Sequence, residues 1–223
     1  MSDGGYPYFV TNRHNVDPGL HRALGEKYSL KSATIAMRAY SPSAKLPSGD
    51  TQPLTLEPSD ITIFFPQDRS DVAILRPAKL FKPNGGDLQL TGVPISLFKH
   101  PEPVEIMDSL FFIGFPGQLR KGAAYDLPIA RSCTIASLPN IDYSLEDTTI
   151  QTPNTCLVGG LSFAGSSGSP VFMEKNGRIE VLGIMSGHMP MEVIGSEWPQ
   201  QHPGLSYLTI GGVIAQVFSE NNL

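Results

Sequence analysis

The chain has 223 residues, 40% of them hydrophobic and 17% charged, and a formal net charge of -5. That length carries one large domain or two small ones with proper cores, and the composition is that of a folded protein. The negative balance, with no Lys/Arg cluster, removes the electrostatic case for nucleic acid, and no run approaches the roughly 18 apolar residues of a membrane span.

Tyr8 to Thr11 is a short β-prone run that leads directly into Asn12-Arg13-His14-Asn15, and a helical turn is expected from Val16 to Glu26. Ala33 to Tyr40 alternates in period two, with Ile35, Met37 and Ala39 on one side and Arg38 on the other. Leu54 with Leu56, then Ile61, Ile63 and Phe65, repeat that alternation. Asp71 to Leu75 reads as a buried strand closed by Arg76-Pro77, and Lys82 to Gly86 as a turn. Residues 98–105, stiffened by two prolines, read as a linker.

Beyond the linker the strand signals restart at Ser109 to Phe115, Ile129 to Ile135 and Thr148 to Gln151. Val171 to Met173 and Ile179 to Ile184 flank Asn176-Gly177, a strong short hairpin signal because both residues tolerate positive φ. Leu205 to Ile210 is the last strand. Gly212 to Glu220 has helical spacing, with Val213, Val217 and Phe218 on the packing face. The expected fold class is all-β, in two antiparallel halves at 1–102 and 103–223, with a C-terminal helix at about 212–220.

Met1 to Pro7 offers neither a basic nor an apolar leader segment, so no signal peptide is read and a cytoplasmic location is expected. Cys133 and Cys156 lack metal-ligand spacing and are read as buried reduced thiols.

Three places carry candidate chemistry. Gly165-Ser166-Ser167-Gly168-Ser169-Pro170 cannot form a core, but it lets backbone approach a ligand and aim amide N–H groups at one spot. A serine held there serves as a nucleophile if a base is near. In the Ser167 register, Gly165 lies two residues upstream and Gly168 follows without a side chain. In the Ser169 register those places are held by Ser167 and Pro170. Asp71 opens an apolar strand, an unexpected place for a charge unless something pairs with it, and His14 follows a buried run. Each has a bland account alone: a surface or capping histidine, a strand-entry aspartate, a loop serine. Together they call for one explanation.

Val10-Thr-Asn-Arg-His14, Asp71-Val-Ala-Ile-Leu75 and Gly165-Ser-Ser-Gly-Ser-Pro170, in that order, resemble the trypsin-like (chymotrypsin-fold) serine proteases, in particular their disulfide-poor bacterial members. Val181-Leu-Gly-Ile-Met-Ser186-Gly187 resembles the strand lining the family's substrate pocket, and Ile113-Gly-Phe-Pro116 the strand end that opens its second barrel. The resemblance implies two six-stranded antiparallel β-barrels with a C-terminal helix. It implies a serine endopeptidase working through an acyl-enzyme, with Ser167 as nucleophile, His14 as base and Asp71 orienting His14. The N–H groups of Gly165 and Ser167 would form the oxyanion hole. The partner would be a protein or peptide substrate, and no metal or organic cofactor is implied.

The departures also carry information. Ser166 stands where secreted members have an aspartate, and Asn15 where a cysteine is usual. Leu161 occupies the pocket-base position, which removes the basis for Lys or Arg preference. Ser186, Gly187 and His188 would line the pocket, His188 being either a rim residue or a solvated loop histidine. The family has a further strand before the one carrying the histidine, where only Met1 to Pro7 remain here. Either the first barrel lacks its N-terminal strand or upstream sequence is missing, and an exposed edge would pair with another chain.

Two other readings are open to comparison. An α/β-hydrolase esterase would need Gly at 169, alternating strands and helices, and an acid and histidine after the serine, and the chain has none of these. A protease-fold binding or scaffold module with decayed activity is the alternative; the filled triad positions argue against it and the missing strand for it.

Overall fold

The computed structural model describes residues 8–17, 30–41, 46–78, 92–98, 104–116, 128–139, 153–189, 191–192, 200–201 and 204–223. The first half supplies β1 (Phe9–Thr11), β2 (Ala33–Ser41), β3 (Leu46–Leu56), β4 (Ile61–Phe64) and β5 (Ala73–Pro77). The second supplies β6 (Ser109–Gly114), β7 (Ile129–Ile135), β8 (Thr155–Gly159), β9 (Pro170–Lys175), β10 (Arg178–His188), β11 (Met191–Glu192), β12 (Gln200–Gln201), β13 (Leu205–Ile210) and α1 (Gly212–Glu220). The protein is mostly β with antiparallel pairing throughout, the plan of a chymotrypsin-like double β-barrel with a C-terminal helix.

In the second half six strands close into a barrel in the order β10-β13-β8-β7-β6-β9. Closure is driven by period-two burial. Leu110 and Phe112 from β6, Cys133 and Ile135 from β7, Val171 and Met173 from β9 point inward and share one core with Cys156, Val158, Leu182, Met185 and Leu208. The β9–β10 hairpin turns at Asn176 (φ 54°) and Gly177 (φ 73°), as the sequence leads one to expect. The strand Thr155–Gly159 was not anticipated; it is buried from Thr155 to Val158 and pairs with β13 and β7. The strand expected at 148–151, the helical turn over 18–26, the turn at 82–86 and the boundary between 102 and 103 lie outside the described residues.

In the first half β1-β5-β4 form a three-stranded sheet, and β2-β3 a separate two-stranded ribbon. This sheet does not bury its core alone. Val72 and Ile74 pack with Phe98 against Val181 and Ile184 of β10 and against Val213, Ile214 and Val217 of α1. Each fully buried aliphatic side chain there contributes roughly 1.5–3 kcal/mol. Helix α1 is thus the wedge between the halves, tied to β10 where Gly211 N–H donates to the Leu182 carbonyl at 2.7 Å. Phe218 adds an edge-on contact with Tyr8, ring centroids 4.9 Å apart.

Cys133 and Cys156 are both free and buried. Burial pushes their thiols up to about 11 and about 12, so both are protonated near neutral pH.

Candidate active site

Arg13–Asn15 form a single 3-10 turn immediately after β1. Arg13 stiffens it, pairing through Nε with Asp17 Oδ2 at 2.8 Å and stacking its guanidinium 4.6 Å from the Phe65 ring centre. The turn presents His14 to Asp71, which sits two residues ahead of β5 rather than inside it. His14 Nδ1 lies 2.8 Å from Asp71 Oδ2, and the His14 backbone N–H donates to Asp71 Oδ1 at 2.9 Å. Both carboxylate oxygens therefore grip one residue, fixing the ring's position and the side on which it carries a proton. The Asp71 side chain is 9% exposed and the His14 side chain 20%, so the pair is shielded while the ring keeps an open edge.

The Gly/Ser loop is built from the other barrel. Ser166 N–H donates to the Phe163 carbonyl at 2.8 Å and Ser169 N–H to the Ser166 carbonyl at 3.0 Å. Gly168 N–H donates to the Met185 carbonyl at 2.8 Å, and Ser166 Oγ accepts from Phe163 N–H at 3.1 Å. The alternate N–H groups, those of Gly165 and Ser167, donate to no carbonyl among the described residues. Gly165 (φ 91°) and Gly168 (φ 83°) hold the left-handed backbone that this loop requires. A Cβ on Gly168 would meet Thr11 Oγ1 at 3.0 Å, so the loop rests on β1, three residues before His14. Ser167, the residue before this contact, is half-buried, and among the described residues no hydrogen bond joins it to His14. Ser166 and Ser169 are buried at 1% and 5% exposure, which leaves Ser167 as the loop serine open to a ligand.

The expected pocket residues divide. Leu161 is 46% exposed, and Gly187 has open space where a side chain would project. Ser162 Oγ donates to the Gly187 carbonyl at 3.1 Å, tying the segment after β8 to the end of β10. His188 is exposed. Ser186 faces the other way: its hydroxyl bonds to Asn12 Nδ2 and to Thr209 Oγ1. Asn12 was not singled out from the sequence; the available signal was a polar residue ending an apolar run. A second link between the halves was equally hidden. Asn154 Nδ2 donates to Asp68 Oδ2 at 2.7 Å and to Ser70 Oγ at 2.9 Å, just ahead of Asp71. Among the described residues no three His, Cys, Asp or Glu side chains group to hold a metal ion.

Two solved structures that resemble the chain are both of Rv3671c. The inactive form of its Ser-to-Ala mutant, from M. tuberculosis H37Rv, is 16% identical over 97% of this chain and 76% of that one, with a TM-score of 0.44. The inactive form of the Rv3671c protease is 16% identical over 94% of this chain and 96% of that one, with a TM-score of 0.41. No curated protein matches the chain. The sequence profile of the trypsin-like peptidase domain matches residues 1–184, most of the chain, and by that match the chain belongs to the trypsin-like peptidase family of hydrolases.

Proposed function

We propose that the protein is a serine endopeptidase. Ser167 Oγ attacks the scissile carbonyl carbon while His14 Nε2 takes the hydroxyl proton. The C–N bond then breaks as His14 returns that proton to the leaving amine, and water releases the acyl group by the same route in reverse. Asp71 holds the ring with Nδ1 protonated and stabilises the imidazolium that forms. The N–H groups of Gly165 and Ser167 take up the charge on the oxyanion. The observation that carries this reading is the double grip of Asp71 on His14, at 2.8 and 2.9 Å; it is joined by a Gly/Ser loop whose Gly165 and Ser167 N–H groups donate to no carbonyl among the described residues.

Substrates are proteins or peptides, their side chain before the cut bond lying near Leu161, Gly187 and His188. Leu161 has no charge to neutralise a buried Lys or Arg, so an apolar or neutral side chain is favoured before the cut bond.

A fluorophosphonate probe should label wild-type protein at Ser167 alone. Ser167→Ala should lower kcat by about 10⁶, the scale of loss for a triad serine. Labelling that maps to Ser169, or an alanine variant with more than about a tenth of the activity, overturns the assignment.

A further inference from the structure

We propose that Asn12 is the positioning residue that sets the His14–Asp71 pair against the second barrel. The inference rests on the serine-protease reading and adds to it a side chain that touches no reacting atom.

Asn12 is 0% exposed, and a buried amide holds its place through its hydrogen bonds. Its Nδ2 donates to the Asp71 backbone carbonyl at 3.0 Å and to Ser186 Oγ at 2.9 Å. A carbonyl only accepts, so the nitrogen and not the oxygen of the amide must face Asp71. Ser186 Oγ accepts the second amide proton and has its own hydroxyl proton free to pass to Thr209 Oγ1. The result is a hydrogen-bonded chain from the histidine turn through β10 to β13.

Two features mark this chain as a device for geometry. Asn12 lies two residues before His14 and also holds the carbonyl of Asp71, so one planar amide controls both members of the pair. Its other atom argues the same way: Oδ1 is buried and meets no hydrogen-bond partner among the described residues. An orphaned buried acceptor is destabilising. An apolar residue of similar shape would avoid that cost, but it would give up the tie between the halves. The amide fits a role in placement better than a role in stability.

The test compares kcat and KM, expressed per fluorophosphonate-titrated site so that misfolded protein is not counted. Asn12→Asp keeps the shape and replaces the donor with an acceptor. It should lower kcat about 100-fold, the scale of an ångström-sized misplacement, with KM within about twofold. Asn12→Ala should lose about 10- to 100-fold in the same parameter. If the Asn12 variants fail to fold, Ser186→Ala removes one arm of the chain and should lower kcat about tenfold with KM unchanged. Where all variants fold, Asn12→Ala combined with Ser186→Ala should be no worse than Asn12→Ala alone. Wild-type kcat in Asn12→Ala or in Ser186→Ala, a loss confined to KM, or additive losses in the double variant each overturn the inference. Wild-type protein that does not label at Ser167 overturns the serine-protease reading and this inference with it. A labelled wild type with unimpaired Asn12 variants overturns the inference alone.

Discussion

The barrel that carries Ser167 closes on itself, whereas the described strands around His14 and Asp71 make a three-stranded sheet and a separate ribbon. The nucleophile loop is accordingly held by its own barrel, through Phe163, Met185 and the end of β6, where a Cβ on Gly114 would run into Ser169. The acid–base pair is held by borrowed contacts: the α1 and β10 side chains beneath β5, the Asn12 amide, and the Asn154–Asp68–Ser70 link. The comparison teaches that the serine loop takes its backbone hydrogen bonds from one barrel and a packing contact, Gly168 on Thr11, from the other half, whereas the histidine's place depends on the docking between the two.

The largest effect should come from breaking the histidine side chemically. Asp71→Asn keeps the shape but reverses the proton preference at Nδ1, and kcat should fall by about 10⁴, as in the corresponding triad precedent. Fluorophosphonate kinetics would measure it, and a loss under about tenfold would remove Asp71 from the role. Breaking the docking comes next. Ile214, fully buried in the cluster between the halves, should cost about 3 kcal/mol as Ile214→Ala. Hydrogen exchange should then quicken in β5 before β7; equal acceleration in both would dissolve the distinction drawn here.

Asn154→Gly keeps the positive φ of 58° at that position and deletes only the amide. A loss of about 1 kcal/mol is expected. Activity should melt at lower temperature while the closed barrel's own transition stays put. A further effect, confined to alkaline pH, belongs to the closed barrel alone. Burial raises the Cys133 and Cys156 thiols from an ordinary 9.0 to about 11 and about 12, so the unfolded chain loses those protons first. Stability should be level below about pH 9 and fall as pH rises toward 11–12. Urea midpoints would show it, and Cys156→Val should flatten the decline.

What the sequence revealed follows how local each signal is. The hairpin at Asn176-Gly177 and the helix Gly212–Glu220 are set by neighbouring residues and were read from the sequence alone. A carboxylate at the edge of an apolar strand called for a partner, and it was the family resemblance that named His14 as that partner. Strand β8 was missed because Thr-Cys-Leu-Val-Gly is buried along its length and shows no alternation, leaving nothing periodic to find. Asn12 was missed because its decisive partner, Ser186, lies 174 residues away. Hydrogen bonds between distant segments leave no mark on local pattern.

The order in which the chain is synthesised gives the α1 wedge a further meaning. His14 and Asp71 are made early, while Val213, Ile214 and Val217, which complete the cluster under β5, come near the end of the described chain. A growing polypeptide folds as its segments emerge, N-terminal parts first. Until α1 is made, the cluster under β5 has only Phe98 and the β10 side chains Val181 and Ile184 to complete it, so the support of the histidine turn is assembled in two stages.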